Sequence, residues 1–329
     1  MAIVRLSDII EPTKFTDYIV QNTMTRTALM QSGVMTRNSV IDDQITAGAH
    51  SFTVPIWNDL SDDEADIISD DPNETSTPRG LSTDKQVVRK AFLHGSWSAM
   101  NLASEIAGDD ALNRVQNRVQ AYWDRQLQKR LVATLNGVLA DNQANHGGDM
   151  VLDISGETGD AASFSAEAVI ETTGTMGDAM QDVTGIAMHS DIYRAALKND
   201  LIEFVPDSQG ALTLPTFRGL AVVMDDALPV NGESYTTVLF GRDAVGFGVS
   251  APRVAEGTEV ESLPSSGNGG GQQVLHSRIN AGVHPAGFSW KEATIAGESP
   301  TIAELADATN WERVAERKAT PLAFLVSKV

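Results

Sequence analysis

The sequence predicts an α+β fold on three observations. One helix near residues 109–141 is unusually long, two strand-like runs flank a strongly acidic segment between residues 52 and 97, and the second half alternates short strands and helices before a final apolar strand. At 329 residues and 42% hydrophobic content the chain can bury a sizeable core, and it is long enough for two or more domains.

Residues 1–50 carry Pro12, spaced apolar side chains and many Thr, Asn and Gln, with no sustained period of 2 or 3.6. They read as an extended arm that orders by lying on its own domain or on a neighbour, or else as a frayed terminus. In the stretch Ser51–Trp57, Phe52, Val54 and Ile56 share one face of a strand, and residues 85–97 form a second run with Val87, Val88, Phe92 and Leu93. The two runs predict the limbs of one long hairpin over residues 51–97. Its polar tip, residues 58–84, is too long for an ordinary hairpin loop.

Charge is segregated within this hairpin. No Lys or Arg occurs between Arg37 and Arg79, where ten acids fall: Asp42, Asp43, Asp59, Asp62, Asp63, Glu64, Asp66, Asp70, Asp71 and Glu74. That is half of the net charge of -20. The returning side has the opposite sign, with Arg79, Lys85, Arg89 and Lys90 against Asp84 alone. A two-stranded hairpin with few buried positions is not stable by itself. It is therefore expected to lie across a partner chain, with the tip acids from Asp59 to Asp71 and the four basic residues as inter-subunit contacts.

Residues 98–107 predict a short helix that Gly108 ends, and Asp109 and Asp110 then cap the long one. From Leu112 the apolar residues Val115, Val119, Tyr122, Trp123, Leu127, Leu131, Leu135, Val138 and Leu139 recur at steps of three and four or close to it. A helix to about residue 141 would be roughly 45 to 50 Å long. Arg114, Arg118, Arg125 and Lys129 fall within about 60° of one another at 100° per residue, forming a basic stripe. Such a stripe is either a solvated helix face or a contact for an acidic neighbour or nucleic acid.

A strand is expected at residues 150–154, and then a helix from Ser165 that Gly174 and Gly177 weaken. Strands at 186–189, Leu220–Met224 and 237–240 and a helix at 191–198 complete a mixed region. Gly267, Gly269, Gly270 and Gly271 give it a flexible surface loop. Near the end Thr301 and Glu304 form a capping box, and residues 322–329 an apolar strand. No fixed-period repeat is visible.

The composition excludes several function classes. Net charge -20 opposes tight binding to phosphate backbones or anionic lipid, and the absence of Cys excludes disulfides, thiolate metal sites and thiol nucleophiles. With neither a signal peptide nor a run of roughly 20 apolar residues, a soluble protein made in the cytoplasm is expected, without membrane contact. His50, His94, His146, His189, His276 and His284 lack the spacing of a zinc helix and read as structural. There is no phosphate-binding Gly-Lys loop and no Gly-x-Ser-x-Gly elbow. No catalytic, cofactor or metal residues are assigned; the cluster from Asp62 to Asp71 supports weak cation binding at most.

The order of these elements resembles the major capsid protein of tailed bacteriophages, the Hong Kong 97-type fold. Local phrases are also similar to one branch of phage coat proteins: Phe52-Thr53-Val54-Pro55 with Asn58-Asp59-Leu60, Ser98-Ala99-Met100-Asn101-Leu102-Ala103, and Gly108-Asp109-Asp110 leading to Ala121-Tyr122-Trp123. Met224-Asp225-Asp226 before Pro229, Phe240-Gly241-Arg242-Asp243-Ala244 and Asn310-Trp311-Glu312-Arg313-Val314 continue the likeness.

The resemblance implies an N-terminal arm (1–50), an extended loop (51–97), a peripheral domain with spine helix (98–183), an axial domain (184–290) and a C-terminal return to the peripheral domain (291–329). It further implies hexamers and pentamers on an icosahedral lattice around double-stranded DNA, with the extended loop of one subunit over its neighbour. The basic stripe of Arg114, Arg118, Arg125 and Lys129 would face the packaged DNA, contacting it weakly and without sequence preference. A separate scaffolding protein, a portal protein and a decoration protein are the further partners implied. An encapsulin-type nanocompartment and an acidic tail or surface-layer protein are the alternatives.

Overall fold

The computed structural model describes residues 3–4, 29, 35–57, 64–65, 67–68, 70–71, 73, 75, 78–80, 83–206, 213–293 and 295–329. Its longest element is the spine helix, Ala111–Asn145, whose 35 residues span about 52 Å. Asp110 caps it by accepting from the Leu112 and Asn113 amides at 2.9 and 3.1 Å. The helix is amphipathic only in its first half. From Leu127 it is buried on almost every side, including Thr134, Asp141 and Asn142, and it runs four residues past the expected end.

Against the helix lies a strand that the sequence reading did not single out, Gln272–Pro285, about 46 Å long. Its central role is visible in the pairing. On one edge residues 272–281 run antiparallel to Ala91–Met100; the other edge is shared end to end by Thr258–Leu263 and Val245–Ser250. Ile3–Val4 and Met35–Arg37 add short parallel strands at the two margins. The glycine-rich segment before this strand is the turn between Thr258–Leu263 and Gln272–Pro285, with Gly267, Gly269 and Gly271 at positive φ.

A second sheet contains eight strands in the order Val151–Asp153, Leu322–Ser327, Ser234–Gly241, Val183–Met188, Leu220–Met224, Thr213–Phe217 and Glu203–Pro206, with Val230–Asn231 paired to Ser234–Gly241. Both of its faces are covered, which explains the unbroken apolar run at 322–325. Leu322 and Phe324 join the spine helix residues Leu131, Leu135 and Val138, while Ala323 and Leu325 join a separate core with Phe164, Ile192 and Phe217. That second core rests on helices Ala166–Gly174 and Ser190–Lys198. The first of these stops at Gly174, as its glycines suggested, and a 3-10 turn follows at Gly177–Asp182.

Each sheet draws its strands from segments distant in sequence. Val245–Ser250, Thr258–Leu263 and Gln272–Pro285 belong with the hairpin's neighbours in the first sheet, whereas the C-terminal strand Leu322–Ser327 completes the second. Ala91–Met100 is one strand of the first sheet, so the short helix expected over residues 98–107 starts only at Asn101 and ends, as expected, at Gly108.

Two close approaches fix the spine helix. At Gly137 a Cβ would overlap the Leu305 carbonyl and the Trp311 indole, whose Nε1–H donates to that carbonyl at 2.8 Å. Two and a half turns earlier, Gln128 donates through Nε2 to the buried Asp225 carboxylate, which also accepts from the amides of Ala227 (2.8 Å) and Leu29. Desolvation raises the Asp225 pKa despite these bonds. Leu29 is itself fully buried in the main core, so the N-terminal arm is tied under the spine helix at that point.

His284, near the end of the long strand, is buried against Trp311, with ring centroids 6.2 Å apart. Burial pushes its pKa from 6.5 down to about 4. The folded chain keeps this imidazole neutral while the unfolded chain protonates it below about pH 6.5, so its contribution is full above 6.5 and lost on descent to about 4. The loss amounts to roughly 3 kcal/mol. Urea unfolding of wild type and His284→Gln between pH 7 and 4 checks this: the acid-dependent fall in stability should be smaller in the variant by about that amount.

Candidate functional site

The hairpin is a two-stranded antiparallel ribbon, Ser51–Trp57 against Thr83–Arg89, in register from Ser51 opposite Arg89 to Trp57 opposite Thr83. Seven residues give each limb about 23 Å. Among the described residues it pairs with no third strand. Its two sides have different fates: Val88 is buried at the root, while Thr83, Asp84 and Lys85 near the tip are exposed.

The segment 288–300 holds the root. Ser289 Oγ accepts from the Val87 amide at 3.0 Å, and Ser299 Oγ accepts from the Phe92 amide at 2.9 Å. Arg89 is nearly buried, paired with Glu292 and donating to the Glu298 carbonyl at 2.8 Å. His50 lies 3.3 Å from the Glu298 carboxylate. Arg130 of the spine helix reaches the same segment at the Pro300 carbonyl, 2.9 Å away, and burial lowers its pKa. Sequence reasoning passed over Arg130, whose signal was a basic residue among the buried helix positions.

Lys90 is fully buried. Its Nζ donates to the Ala47 carbonyl at 2.7 Å and sits 5.9 Å from the centre of the Phe52 ring. Arg89 and Lys90, expected at a contact with another subunit, both have partners within the chain and fasten the hairpin root to the body. Their aliphatic stems and fixed donors suit a buried corner where backbone carbonyls need partners. Lys85, by contrast, is exposed.

At the tip, Arg79 donates to the Glu64 carbonyl, fifteen positions away in sequence, at 2.7 Å. Asp71 accepts from both the backbone and side-chain nitrogens of Asn73 at 2.9 Å, bonds that lower its pKa. Glu64, Asp70 and Asp71 are exposed, and so are two isoleucines, Ile67 (88%) and Ile68 (97%). Asp59, Asp62, Asp63 and Asp66 lie outside the described residues.

The basic stripe is present on the first half of the spine helix. Arg114 pairs with Asp109 at 2.8 Å, Arg118 and Arg125 are half-buried, and Lys129 is exposed. Other faces of that half are welded to the first sheet. Trp123 Nε1 donates to the Ser277 hydroxyl at 2.9 Å, and Tyr122 stands edge-on to Trp97 with centroids 5.1 Å apart. Among the described residues no group of three or more metal-ligating side chains converges, and no helix is long and apolar enough to cross a membrane.

The buried and exposed lysines of the returning limb should separate in mutagenesis. Lys90→Ala removes the partner of the Ala47 carbonyl and leaves a void, which costs roughly 2–4 kcal/mol. Lys85→Ala is expected within about 0.5 kcal/mol of wild type. Urea unfolding of the unassembled subunit measures both.

Comparison with known proteins gives this geometry its context. A family model described as Gp13-like, major capsid protein 13-like, matches residues 108–321. The major capsid protein of Bacillus phage SPP1 is 34% identical over 330 residues, covering 97% of this chain and 96% of that protein. Among solved structures, the Cyanophage Pam1 capsid asymmetric unit superposes with a TM-score of 0.60 at 12% identity, over 96% of both chains. The SrpI encapsulin of Synechococcus elongatus PCC 7942 superposes with a TM-score of 0.52 at 8% identity, covering 95% of this chain and 91% of that one. The fold is thus the Hong Kong 97 type, and the sequence relationship separates phage capsid from encapsulin: the chain belongs to the Gp13-like major capsid proteins, which build the capsid of tailed-phage virions.

Proposed function

We propose that copies of this subunit join as hexamers and pentamers on an icosahedral lattice enclosing double-stranded DNA, with the 51–97 hairpin of each lying across its neighbour. The observation that carries the reading is the contrast within the hairpin. Its root is fastened by Arg89, Lys90 and Ser289, while its tip exposes Ile67 and Ile68 among acids. A ribbon of two strands with isoleucines in water gains stability only from another surface. The tip acids, Asp59, Asp62, Asp63, Glu64, Asp66, Asp70 and Asp71, would select a basic patch on that surface, while Arg79 and Lys85 would meet its acids. The work is self-association rather than catalysis.

In this reading the stripe of Arg114, Arg118, Arg125 and Lys129 faces the packaged DNA and softens its repulsion from an acidic shell. A separate scaffolding protein guides assembly, a portal protein occupies one vertex, and a decoration protein is a further partner.

Electron microscopy of subunit co-expressed with its scaffold tests the reading. Changing Asp59, Asp62, Asp63, Asp70 and Asp71 to Asn, or Ile67 and Ile68 to Ser, should cut the yield of uniform shells at least about tenfold by weakening each of many repeated contacts by about 1.4 kcal/mol or more, with the subunit's melting curve unchanged. Wild-type shell yield from both variants would sink the proposal. Reversing the four stripe charges to Glu should leave shells intact and lower DNA retention; full retention would remove the stripe from the reading.

A further inference from the structure

Two histidines 182 positions apart in sequence meet on the first sheet. His94 lies on Ala91–Met100 and His276 on the long strand Gln272–Pro285, diagonal to each other across the pair, since His94 is opposite Arg278 and His276 opposite Ser96. Ser277, the next residue along, takes the Trp123 bond from the spine helix. His276 therefore points to the other face, away from that helix.

His94 Nε2 and His276 Nδ1 stand 3.1 Å apart, with ring centroids 5.3 Å apart and planes inclined by 21°, so the rings meet edge to edge through these nitrogens. On its far side, His276 Nε2 is 3.3 Å from Glu261 Oε2, from the neighbouring strand Thr258–Leu263. A carboxylate there draws the His276 proton to Nε2 and leaves Nδ1 with a lone pair directed at His94. Two imidazole nitrogens bound to one metal at about 2.0–2.1 Å sit roughly 2.9–3.4 Å apart for angles between square and tetrahedral. The observed spacing falls in that range, and binding turns the two rings so that both lone pairs converge on one ion.

The remaining neighbours allow a cation. Arg278 opposes it, but its guanidinium is held by Glu259 at 3.0 Å and by the Glu256 carbonyl at 3.1 Å, so Glu259 and Glu261 together outweigh it by one charge. Burial, His276 and Arg278 hold the His94 pKa below the usual value, which keeps its ring neutral near pH 7.

We propose that His94 and His276 are a two-imidazole site for a divalent transition metal such as Cu²⁺, Ni²⁺ or Zn²⁺, with Glu261 as the positioning residue that sets the His276 tautomer. On binding, His94 gives up its Nε2 proton and takes one up at Nδ1, a change of tautomer with no net proton release, and water fills the open coordination positions. The bound metal clips the strand that continues from the hairpin to the strand at the centre of the sheet.

The test uses full-length subunit and Cu²⁺ as the probe. At pH 7.5 wild type should bind one equivalent with the electron paramagnetic resonance signature of two imidazole nitrogens, and its melting temperature should rise. His94→Gln, at an exposed position that tolerates the change, should lose at least about tenfold in affinity, and Glu261→Gln about tenfold, as for a supporting carboxylate. His50→Gln should bind as wild type, and lowering the pH to 5 should release the metal. Equal affinity in wild type and His94→Gln, or a single-nitrogen spectrum, would overturn the proposal.

Discussion

The subunit depends on one packing arrangement, the 35-residue spine helix laid against the 14-residue strand Gln272–Pro285. Neither element could exist alone. The strand gains from having both edges paired, and the helix from burying its second half between two sheets. Trp123 on Ser277 and Trp311 beside Gly137 fix their relative position at two places, so the first and second sheets are set by the same rod. The buried Gln128–Asp225 pair then ties the N-terminal arm, through Leu29, to that rod.

The hairpin adds the opposite property. Its base is over-determined by Arg89, Lys90, Ser289 and Ser299, and its far end is polar, acidic and tipped by exposed isoleucines. A fixed root makes the direction of projection a property of the fold, and in the proposed reading the tip takes its partner from another copy. The chain thereby separates what must be satisfied within one subunit from what is left for assembly.

Much of this was legible in the residues. The spine helix apart from its last four residues, its Asp110 cap, the helix stop at Gly108 and the Thr301–Glu304 capping box follow from local rules of spacing and capping, and each stands where those rules put it. The acidic tip followed from charge segregation. Contacts between distant segments were not legible. The sign of Arg89 and Lys90 suggested a surface role, but whether a cation is exposed depends on which carbonyls and carboxylates the fold brings to it, here Ala47, Glu292 and Glu298. Ile67 and Ile68 were hidden among the acids of the tip by composition.

By itself the sequence determined the local elements, the periodicity of the spine, the polarity of the hairpin and the absence of thiol chemistry, because each depends on neighbours within a few residues. Tertiary structure alone decided which strands share a sheet, since both edges of the strand 272–285 are filled by segments its own pattern does not name. It also decided which histidines meet. His94 and His276 lack any spacing signal, and only the register of two strands brings their nitrogens within 3.1 Å.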